Sequence, residues 1–305
     1  MDNNFKNPML PGADPFVLHY EGKYYMYCTT ENDIAIQGYN DFSTVSEEED
    51  GIAVYVSDDL KSWKKSGIAL RKSDSVGEKW FWAPEVLAYR GKFYMIYAVE
   101  EHMAIAVADH PAGPFVQEKK EWLRDGRSID GHLFVDDDGT VYLYYVRLGG
   151  GNKIFVAKMK DDLSAIETEY EDCLIRSEEP WETVDSLVAE GPFVLKHNNL
   201  YYLSYSCNHT RSKDYAMGYA VSENPLGPFR KYSGNPILKR NEKFVGVGHH
   251  SFMTAPDGTL VCAYHCHSGN PDNFRPRMFC LNTAAFVSNG DGEDVLTVNG
   301  PYTVD

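Results

Sequence analysis

Five times along the chain, an apolar stretch is followed by a tight turn and then by a stretch in which tyrosines alternate with other apolar residues. The five copies are DPFVLHYEGKYYMY (14–27), APEVLAYRGKFYMIY (83–97), DGHLFVDDDGTVYLYY (130–145), EGPFVLKHNNLYYLSY (190–205) and HSFMTAPDGTLVCAY (250–264). Alternation with a period of two predicts β-strands, and a short turn between two such strands predicts a hairpin. The turn residues favour a positive φ, as hairpin turns require: Gly22, Gly91, Gly139, Asn199 and Gly258.

Four of the copies are followed by a second pair of strand-like segments. Each has an apolar strand, a polar turn with Asp, Asn or Pro, and an aromatic or apolar anchor: VYVSDDLKSWKKSG (54–67), IAVADHPAGPFVQE (105–118), IFVAKMKDDLSAIE (154–167) and GYAVSENPLGPFRKYSG (218–234). The hairpin turns lie about 50 to 70 residues apart, which accommodates four strands and their loops. The pattern therefore predicts an all-β fold, a five-bladed β-propeller formed as a single domain over residues 1–305.

The main alternative is a β-sandwich with Tyr-rich strands, but repeats of this length suit propeller blades better than sandwich strands. Radial repetition also leaves only short strand edges exposed. The polar segments 40–50 and 176–188 are predicted to be loops between strands.

Composition restricts the partners more than it restricts the fold. The formal net charge is -16, and the 29 Lys and Arg residues form no dense run. Nucleic acids and anionic membranes attract basic patches, so we expect neither of them as a partner, and a neutral ligand fits better. No segment approaches the roughly 18 consecutive apolar residues of a membrane span.

The localisation and the oligomeric state are less constrained. The N-terminal segment MDNNFKNPML has no positive start followed by an apolar stretch. As it stands the sequence predicts a cytoplasmic protein, or a secreted or periplasmic one if a signal has been removed. The sequence predicts no particular oligomeric state.

Ionisable residues open four of the five copies. When the copies are aligned on their turns, Asp14, Asp130, Glu190 and the pair His249 and His250 fall within a residue or two of one another. The first strand of each blade lines the central channel of a propeller, so we expect these side chains to meet at the channel mouth. A lone Asp before Pro is usually a turn or strand-capping residue. Three converging carboxylates, however, repel one another and are better explained by catalysis or by a bound cation.

Paired carboxyl groups with different pKa values are what hydrolysis of a glycosidic bond requires. One protonated carboxyl donates to the leaving oxygen, and one carboxylate activates water or attacks the sugar carbon. Neutral sugars also suit an acidic protein whose Tyr and Trp rings can stack on them.

Five ordered motifs carry a resemblance to a known family: NPMLPGADPFV (7–17), WFWAPEV (80–86), SIDGHLFVDDDG (128–139), AEGPFVLK (189–196) and GVGHHSF (246–252). From Asn7 to about Phe286, the chain resembles glycoside hydrolase family 43, the five-bladed propeller arabinofuranosidases, xylosidases and arabinanases. The resemblance implies an inverting enzyme that cleaves α-L-arabinofuranosyl or β-D-xylosyl linkages. Its substrates would be neutral, pentose-containing plant cell-wall polysaccharides or their oligosaccharides.

The resemblance also implies a role for each carboxylate. Asp14 matches the general base that activates water, and Glu190 matches the general acid. Asp130 matches a third carboxylate that raises the pKa of the acid and orients it. A negative charge on Asp130 would disfavour a second one on Glu190, which keeps the acid protonated near neutral pH. Inversion further requires about 6.5–9.5 Å between base and acid, so that water fits between them.

Three further residues are predicted to contact the sugar. Trp82 is a candidate stacking platform, with packing between blades as the alternative. Arg277, in NFRPRMFCLNTAAF (273–286), matches the family arginine that bonds the sugar, and Arg275 is the competing choice. His249 matches a histidine that faces the channel, and His250 is the competing choice.

No cofactor is expected to be required. The resemblance makes His249 a candidate for contact with a Ca²⁺ or Na⁺ ion in the channel, held largely through waters. A single His is weak evidence for a hard cation, because such cations prefer oxygen ligands.

Two other functions share the predicted fold. Neighbouring propeller families, the β-fructosidases and mannoside phosphorylases, would keep the blades, but fructosidases retain the anomeric configuration and have a different opening motif. A carbohydrate-binding propeller that has lost catalysis would also keep them, although all three matched carboxylates are present here. The sequence does not separate arabinose from xylose specificity, or exo from endo action.

Overall fold

The computed structural model describes residues 4–30, 50–269, 274–290 and 292–303. These parts form antiparallel sheets, two single-turn 3-10 helices (Lys72–Asp74 and Pro180–Glu182) and no α-helix. Within these ranges no helix has the length and apolar character needed to cross a bilayer. Apart from Asp50, the predicted loop 40–50 lies outside the described residues.

The strands form five sheets, which we call blades I to V. Blade I contains β1 (Ala13–Tyr20), β2 (Lys23–Thr29), β3 (Gly51–Ser57) and β4 (Lys64–Arg71). Blade II contains β5 (Trp82–Tyr89), β6 (Lys92–Val99) and β7 (His102–Ala108). Blade III contains β8 (Ser128–Val135), β9 (Val141–Arg147), β10 (Lys153–Met159) and β11 (Ile166–Glu169).

The remaining two blades complete the ring. Blade IV contains β12 (Ala189–His197), β13 (Leu200–Cys207), β14 (Ala216–Ser222) and β15 (Arg230–Lys231). Blade V contains β16 (Gly248–Thr254), β17 (Leu260–His267), β18 (Arg277–Val287) and β19 (Val295–Val298). The first strand of each blade contacts the first strand of the next, and β16 contacts β1. The predicted five-bladed β-propeller is confirmed, with the five first strands around a central channel.

Blade II differs from the prediction of four strands in every blade. Its expected fourth strand is reduced to a bridge between Val107 and Val116. The neighbouring Phe115 instead donates its backbone N–H to the carbonyl oxygen of Ala69, at the outer edge of blade I. Pro114 has no N–H to donate, so this segment cannot extend a regular ladder.

The start of the chain closes the ring against the last blade. The backbone N–H of Met9 donates to the carbonyl oxygen of Phe279 at 2.9 Å, and that of Gly12 donates to Arg277 at 2.9 Å. The amide of Asn7 donates to the carbonyl oxygen of Leu281 at 2.7 Å. These bonds hold β1 beside β18, which brings Asp14 next to Arg277.

The alternating tyrosines form much of the core between blades. Their rings are fully buried at Tyr27, Tyr97, Tyr144, Tyr145, Tyr202, Tyr205 and Tyr264. Their hydroxyls reach polar partners: that of Tyr144 donates to the carbonyl oxygen of Pro225, and that of Tyr202 to Asp294, each at 2.7 Å. A buried ring with a satisfied hydroxyl combines a large apolar contact with a hydrogen bond, which explains the Tyr-rich pattern of the second strands.

Candidate active site

Every first strand contains a bulge where it reaches the channel. Its pairing with the second strand shifts register after Ala13, Trp82, Ile129, Glu190 and Gly248. The next residue has a positive φ in each blade: Asp14 (49°), Ala83 (42°), Asp130 (53°), Gly191 (57°) and His249 (45°). This conformation costs a non-glycine residue about 1–2 kcal/mol. Its recurrence at one position marks the place where the propeller directs side chains into the channel mouth.

The bulges show that the acidic positions are not all equivalent. Asp14, Asp130 and His249 are the positive-φ residues of the bulges in their blades. Glu190 instead directly precedes the positive-φ residue of its bulge, as Trp82 does in blade II. Gly191 then follows Glu190, and a Cβ at Gly191 would lie 3.3 Å from the His249 ring. The glycine therefore lets the acidic residue of blade IV pack against blade V.

The predicted site residues lie on one cavity of about 400 Å³ at the channel mouth: Asp14, Trp82, Asp130, Glu190, His249 and Arg277. The three carboxylate residues are buried, with 7%, 6% and 9% of Asp14, Asp130 and Glu190 exposed. Trp82 is half-buried and is one of the residues that line this cavity. The cavity therefore combines three carboxyl groups with an aromatic wall.

Asp14 is surrounded by donors that favour its ionised form. The Arg277 guanidinium contacts both of its oxygens, at 2.6 Å from Nη1 and 3.1 Å from Nη2. The Thr29 hydroxyl donates to Oδ2 at 2.5 Å, and His249 Nδ1 lies 3.2 Å from Oδ1. Burial by itself would raise the pKa of Asp14, but the positive charge of Arg277, followed by the contacts with His249 and His265, holds that pKa well below its usual value. Asp14 is therefore a carboxylate that can accept a proton.

Glu190 has neutral partners instead. The Tyr215 hydroxyl donates to Oε1 at 2.9 Å, and Asn152 Nδ2 donates to Oε2 at 3.1 Å. Burial raises the pKa of Glu190 to about 7, and the negative Asp14 adds to the increase although the two hydrogen bonds oppose it. A carboxyl group with this pKa can hold a proton and release it near neutral pH.

Asp130 accepts the backbone N–H of Gly191 at Oδ2, at 3.1 Å. Burial, followed by the charges of Glu190 and Asp14, raises the pKa of Asp130 well above its usual value. From the sequence, a negative Asp130 is expected to raise the pKa of Glu190, and the structure shows that the raised pKa applies to both groups. Two buried neighbouring carboxyl groups resist double ionisation, so Asp130 and Glu190 titrate as a pair that retains a proton.

The structure separates the competing histidines and arginines. His249 faces Asp14, whereas His250 lies deeper, with Nε2 2.6 Å from the Ser204 hydroxyl oxygen. Arg277 holds Asp14, whereas Arg275 also lines the cavity but lies 5.1 Å from the Phe274 ring centre. Of these four residues, His249 and Arg277 are therefore the two that contact the Asp14 carboxylate.

The donor set does not fit a metal bound directly by side chains. Among the described residues, no three His, Cys, Asp or Glu side chains converge as a ligand group, and His249 Nδ1 already faces Asp14. A cation held largely through waters at His249 stays a prediction.

Several residues of the site were not predicted from the sequence, although some of them recur at equivalent positions of the repeat. Ser206 accepts the backbone N–H of His249 at 2.9 Å, and His265 Nδ1 lies 3.2 Å from Asp14 Oδ1. Together with Thr29 they pair with the residues before the bulges of blades I, IV and V. They are polar residues near the ends of apolar second strands. Asn152 and Tyr215 lie in loops and carry no such periodic signal.

Comparison with known proteins identifies the family. The family model for glycosyl hydrolases family 43 matches residues 5–290. A curated β-D-galactofuranosidase, xynD of Aspergillus niger, is 26% identical over 96% of this chain and 84% of its own. A β-xylosidase of Xylanibacter ruminicola is 31% identical over 63% of this chain and 67% of its own.

Solved structures agree with this assignment. The crystal structure of an endo-1,4-β-xylanase from Bacteroides thetaiotaomicron is 41% identical, with a TM-score of 0.86, and the match covers 96% of both chains. A thermostable family-43 glycoside hydrolase is 35% identical, with a TM-score of 0.82 over 99% of this chain and 98% of its own. The chain therefore belongs to glycoside hydrolase family 43, and it is a glycoside hydrolase.

Proposed function

We propose that this enzyme hydrolyses β-D-xylosyl or α-L-arabinofuranosyl linkages of plant cell-wall polysaccharides or their oligosaccharides, with inversion at the anomeric carbon. The relatives named as a β-xylosidase of Xylanibacter ruminicola and a xylosidase/arabinosidase of Humicola insolens support the substrate class. The observation that carries the mechanism is the contrast between a depressed pKa at Asp14 and a pKa of about 7 at Glu190 on one cavity.

Asp14 acts as the general base. Its carboxylate accepts a proton from a water molecule, and the oxygen of that water attacks the anomeric carbon from the face opposite the leaving group. The Arg277 fork and the Thr29 hydroxyl fix both carboxylate oxygens, so the base is aimed before the sugar arrives. Positioning of this kind lowers the entropic part of the barrier.

Glu190 acts as the general acid. Its proton passes to the glycosidic oxygen while the bond between that oxygen and the anomeric carbon breaks. Asp130 supports this step because the pair of carboxyl groups resists losing its last proton. After product release, solvent restores the proton to Glu190 and removes the one on Asp14.

The cavity wall suits a neutral ring. The half-buried Trp82 offers an apolar face for the C–H groups of a sugar. The hydroxyls of the sugar can exchange hydrogen bonds with the polar groups of the wall, among them Asn152 and Thr210.

A panel of aryl glycosides tests the proposal, with β-xyloside, α-arabinofuranoside and β-galactofuranoside as separate arms, in the presence and absence of inorganic phosphate. We expect turnover of a pentoside that does not depend on phosphate, with an inverted product seen by proton NMR. Asp14→Asn and Glu190→Gln should each lower turnover of an unactivated pentoside by at least about 100-fold. A retained configuration, a phosphate requirement or unchanged rates in both variants would contradict the mechanism.

A further inference from the structure

Behind the cavity wall, two stacked rings connect the acid to the base. The Tyr215 hydroxyl donates to Glu190 Oε1 at 2.9 Å. The Tyr215 ring lies nearly parallel to the His265 imidazole, with 5.5 Å between ring centres and 8° between planes. His265 Nδ1 lies 3.2 Å from Asp14 Oδ1. A continuous line of contacts therefore runs from the acid through Tyr215 and His265 to the base.

The fold reserves space for the Tyr215 ring. Tyr215 is fully buried just before β14, and its backbone N–H donates to the carbonyl oxygen of Ser212. A Cβ at Gly248, the first residue of β16, would lie 2.7 Å from this ring. Any side chain at Gly248 would thus displace Tyr215. The glycine directly before His249 is explained by the approach of a ring from blade IV.

The loop that carries Tyr215 is anchored on both sides. Asn208 Nδ2 donates to the carbonyl oxygens of Trp181 at 2.8 Å and Asp214 at 2.9 Å. The Asn208 Oδ1 accepts the backbone N–H of Val184. These bonds tie the residue before Tyr215 to the neighbouring loop, which restricts where the hydroxyl can point.

We propose that Tyr215 is the positioning residue of the general acid: its hydroxyl fixes Oε1 of Glu190, so that the proton for the leaving group is carried on Oε2. This inference rests on the proposed role of Glu190 as the acid. Oε2 accepts the N–H of Asn152, which lines the cavity, so Oε2 is the oxygen on the cavity side. A protonated Oε2 can keep this bond as an acceptor and donate its own proton toward the sugar. Tyr215 itself does not line the cavity, so it acts through Glu190.

Tyr215 stays a donor throughout the working range of the enzyme. Burial, together with the nearby charges of Glu190 and Asp14, raises the pKa of Tyr215 well above its usual value. The hydroxyl therefore keeps its proton, and its hydrogen bond favours the ionised form of Glu190. In this way Tyr215 limits how far burial raises the pKa of the acid.

His265 serves as an uncharged spacer in this line. Burial lowers the pKa of His265 to about 3, so the ring is neutral near neutral pH. A neutral Nδ1 can accept the backbone N–H of Asp14, 3.3 Å away. The stacked pair then sets the spacing between blades IV and V without adding a charge between the acid and the base.

The test compares two substrates that differ in their need for an acid. A dinitrophenyl pentoside has a leaving group that departs without protonation, whereas a methyl pentoside requires it. We expect Tyr215→Phe, which keeps the ring and removes the hydroxyl, to lower kcat on the methyl pentoside by about 10- to 100-fold. The kcat on the dinitrophenyl pentoside should change less than about threefold.

The pH profile provides a second readout. The hydroxyl of Tyr215 lowers the pKa of Glu190, so its removal should move the alkaline limb of kcat/KM to higher pH. A residue that only supported the fold would leave this limb in place.

Tyr205→Phe is the matched control. The Tyr205 hydroxyl donates to Oε1 of the buried Glu182 at 2.7 Å, in the same blade but away from the cavity. This variant removes a similar buried bond between Tyr and Glu. It should lower the melting temperature, but it should change kcat equally on the two substrates and leave the alkaline limb of kcat/KM in place.

Glu190→Gln and Gly248→Ala complete the design. Glu190→Gln must itself lower kcat much more on the methyl pentoside than on the dinitrophenyl pentoside. If it does not, the proposed acid is wrong. Suppose Glu190→Gln shows this difference, but Tyr215→Phe lowers kcat equally on both substrates and leaves the alkaline limb of kcat/KM in place. The role of Tyr215 is then overturned, and Glu190 is still supported as the acid. In Gly248→Ala the added methyl group displaces the Tyr215 ring, so this variant should also lose more kcat on the methyl pentoside than on the dinitrophenyl pentoside. An equal loss of kcat on both substrates would overturn the role of Tyr215 even if Tyr215→Phe failed to fold.

Discussion

Asp14 and Glu190 are two carboxyl groups with nearly the same burial and opposite behaviour. The exposed fractions of the two residues are 7% and 9%, and burial disfavours the charged form of both. Asp14 in blade I faces the guanidinium of Arg277, whereas Glu190 in blade IV faces the neutral donors Tyr215 and Asn152. The charge of the partner, rather than the depth of burial, decides which group is the base and which is the acid.

The largest change should come from removing the charge beside Asp14. Arg277→Gln leaves a buried carboxylate without its cation, so we expect the pKa of Asp14 to rise and the acid limb of kcat/KM to move to higher pH. We expect kcat/KM at neutral pH to fall by about 100-fold or more. The protein should also lose roughly 3 kcal/mol of unfolding free energy, because the remaining charge is buried and unpaired.

Arg277→Lys is the control for this change, since it keeps the positive charge and loses the two-pronged contact. Its acid limb should lie between those of the wild type and Arg277→Gln. An unmoved acid limb in Arg277→Gln would show that the guanidinium does not govern the ionisation of Asp14.

A smaller effect is expected from a neutral donor to the same carboxylate. Thr29→Val keeps a similar shape but removes the hydroxyl, which donates to Asp14 Oδ2 and accepts the backbone N–H of Ala83. From the lost bond to Asp14 we expect a shift of the acid limb in the same direction as for Arg277→Gln, and a loss of kcat/KM of about fivefold, as for a hydrogen bond of about 1 kcal/mol. The lost bond to Ala83 should lower the melting temperature. Thr29→Ser should behave like the wild type, and a larger effect from Thr29→Val than from Arg277→Gln would contradict the comparison.

The smallest expected effect concerns stability. The pKa of Glu190 is raised in the folded protein from 4.5 to about 7, so the unfolded chain binds fewer protons between these values. The contribution of Glu190 to stability is fully present below the unfolded pKa, falls as pH rises toward the folded pKa, and is lost above it. Glu190→Gln, which cannot ionise, should therefore melt a few degrees above the wild type near pH 8.

The control for stability is pH itself. Below about pH 4.5 Glu190 is protonated in both the folded and the unfolded protein. The difference in melting temperature between Glu190→Gln and the wild type should therefore shrink. A constant difference across this range would mean that the substitution acts through packing and not through ionisation.

The sequence allowed the blades and the carboxylates to be predicted because both depend on local pattern. Hairpin turns at Gly22 and Gly139 follow from short-range backbone preferences, and Asp14 and Asp130 precede these turns by eight and nine residues. The offset of Glu190 by one residue was not visible, because it depends on the register of the bulge. The missing fourth strand of blade II likewise depends on how Phe115 pairs with blade I.

The partners that tune the site were not predictable, because radial packing brings them together. Tyr215 lies 25 residues from Glu190 along the chain, Asn152 lies 38 residues away, and His265 lies 251 residues from Asp14. No periodicity links Tyr215 or Asn152 to Glu190, whereas His265 shares with Thr29 and Ser206 a polar position near the end of an apolar second strand. Gly248 is a further clue, since a glycine beside His249 indicates that another group approaches the strand closely.

Direct titration of the two carboxyl groups tests the contrast between them. Carbon NMR of protein with isotopically labelled Asp and Glu carboxyl groups, assigned with Asp14→Asn and Glu190→Gln, would follow each group across the pH range in which the protein is folded. We predict that Glu190 titrates near pH 7 and that Asp14 stays ionised throughout that range. An ordinary pKa near 4.5 at Glu190, or a raised pKa at Asp14, would contradict the assignment of acid and base.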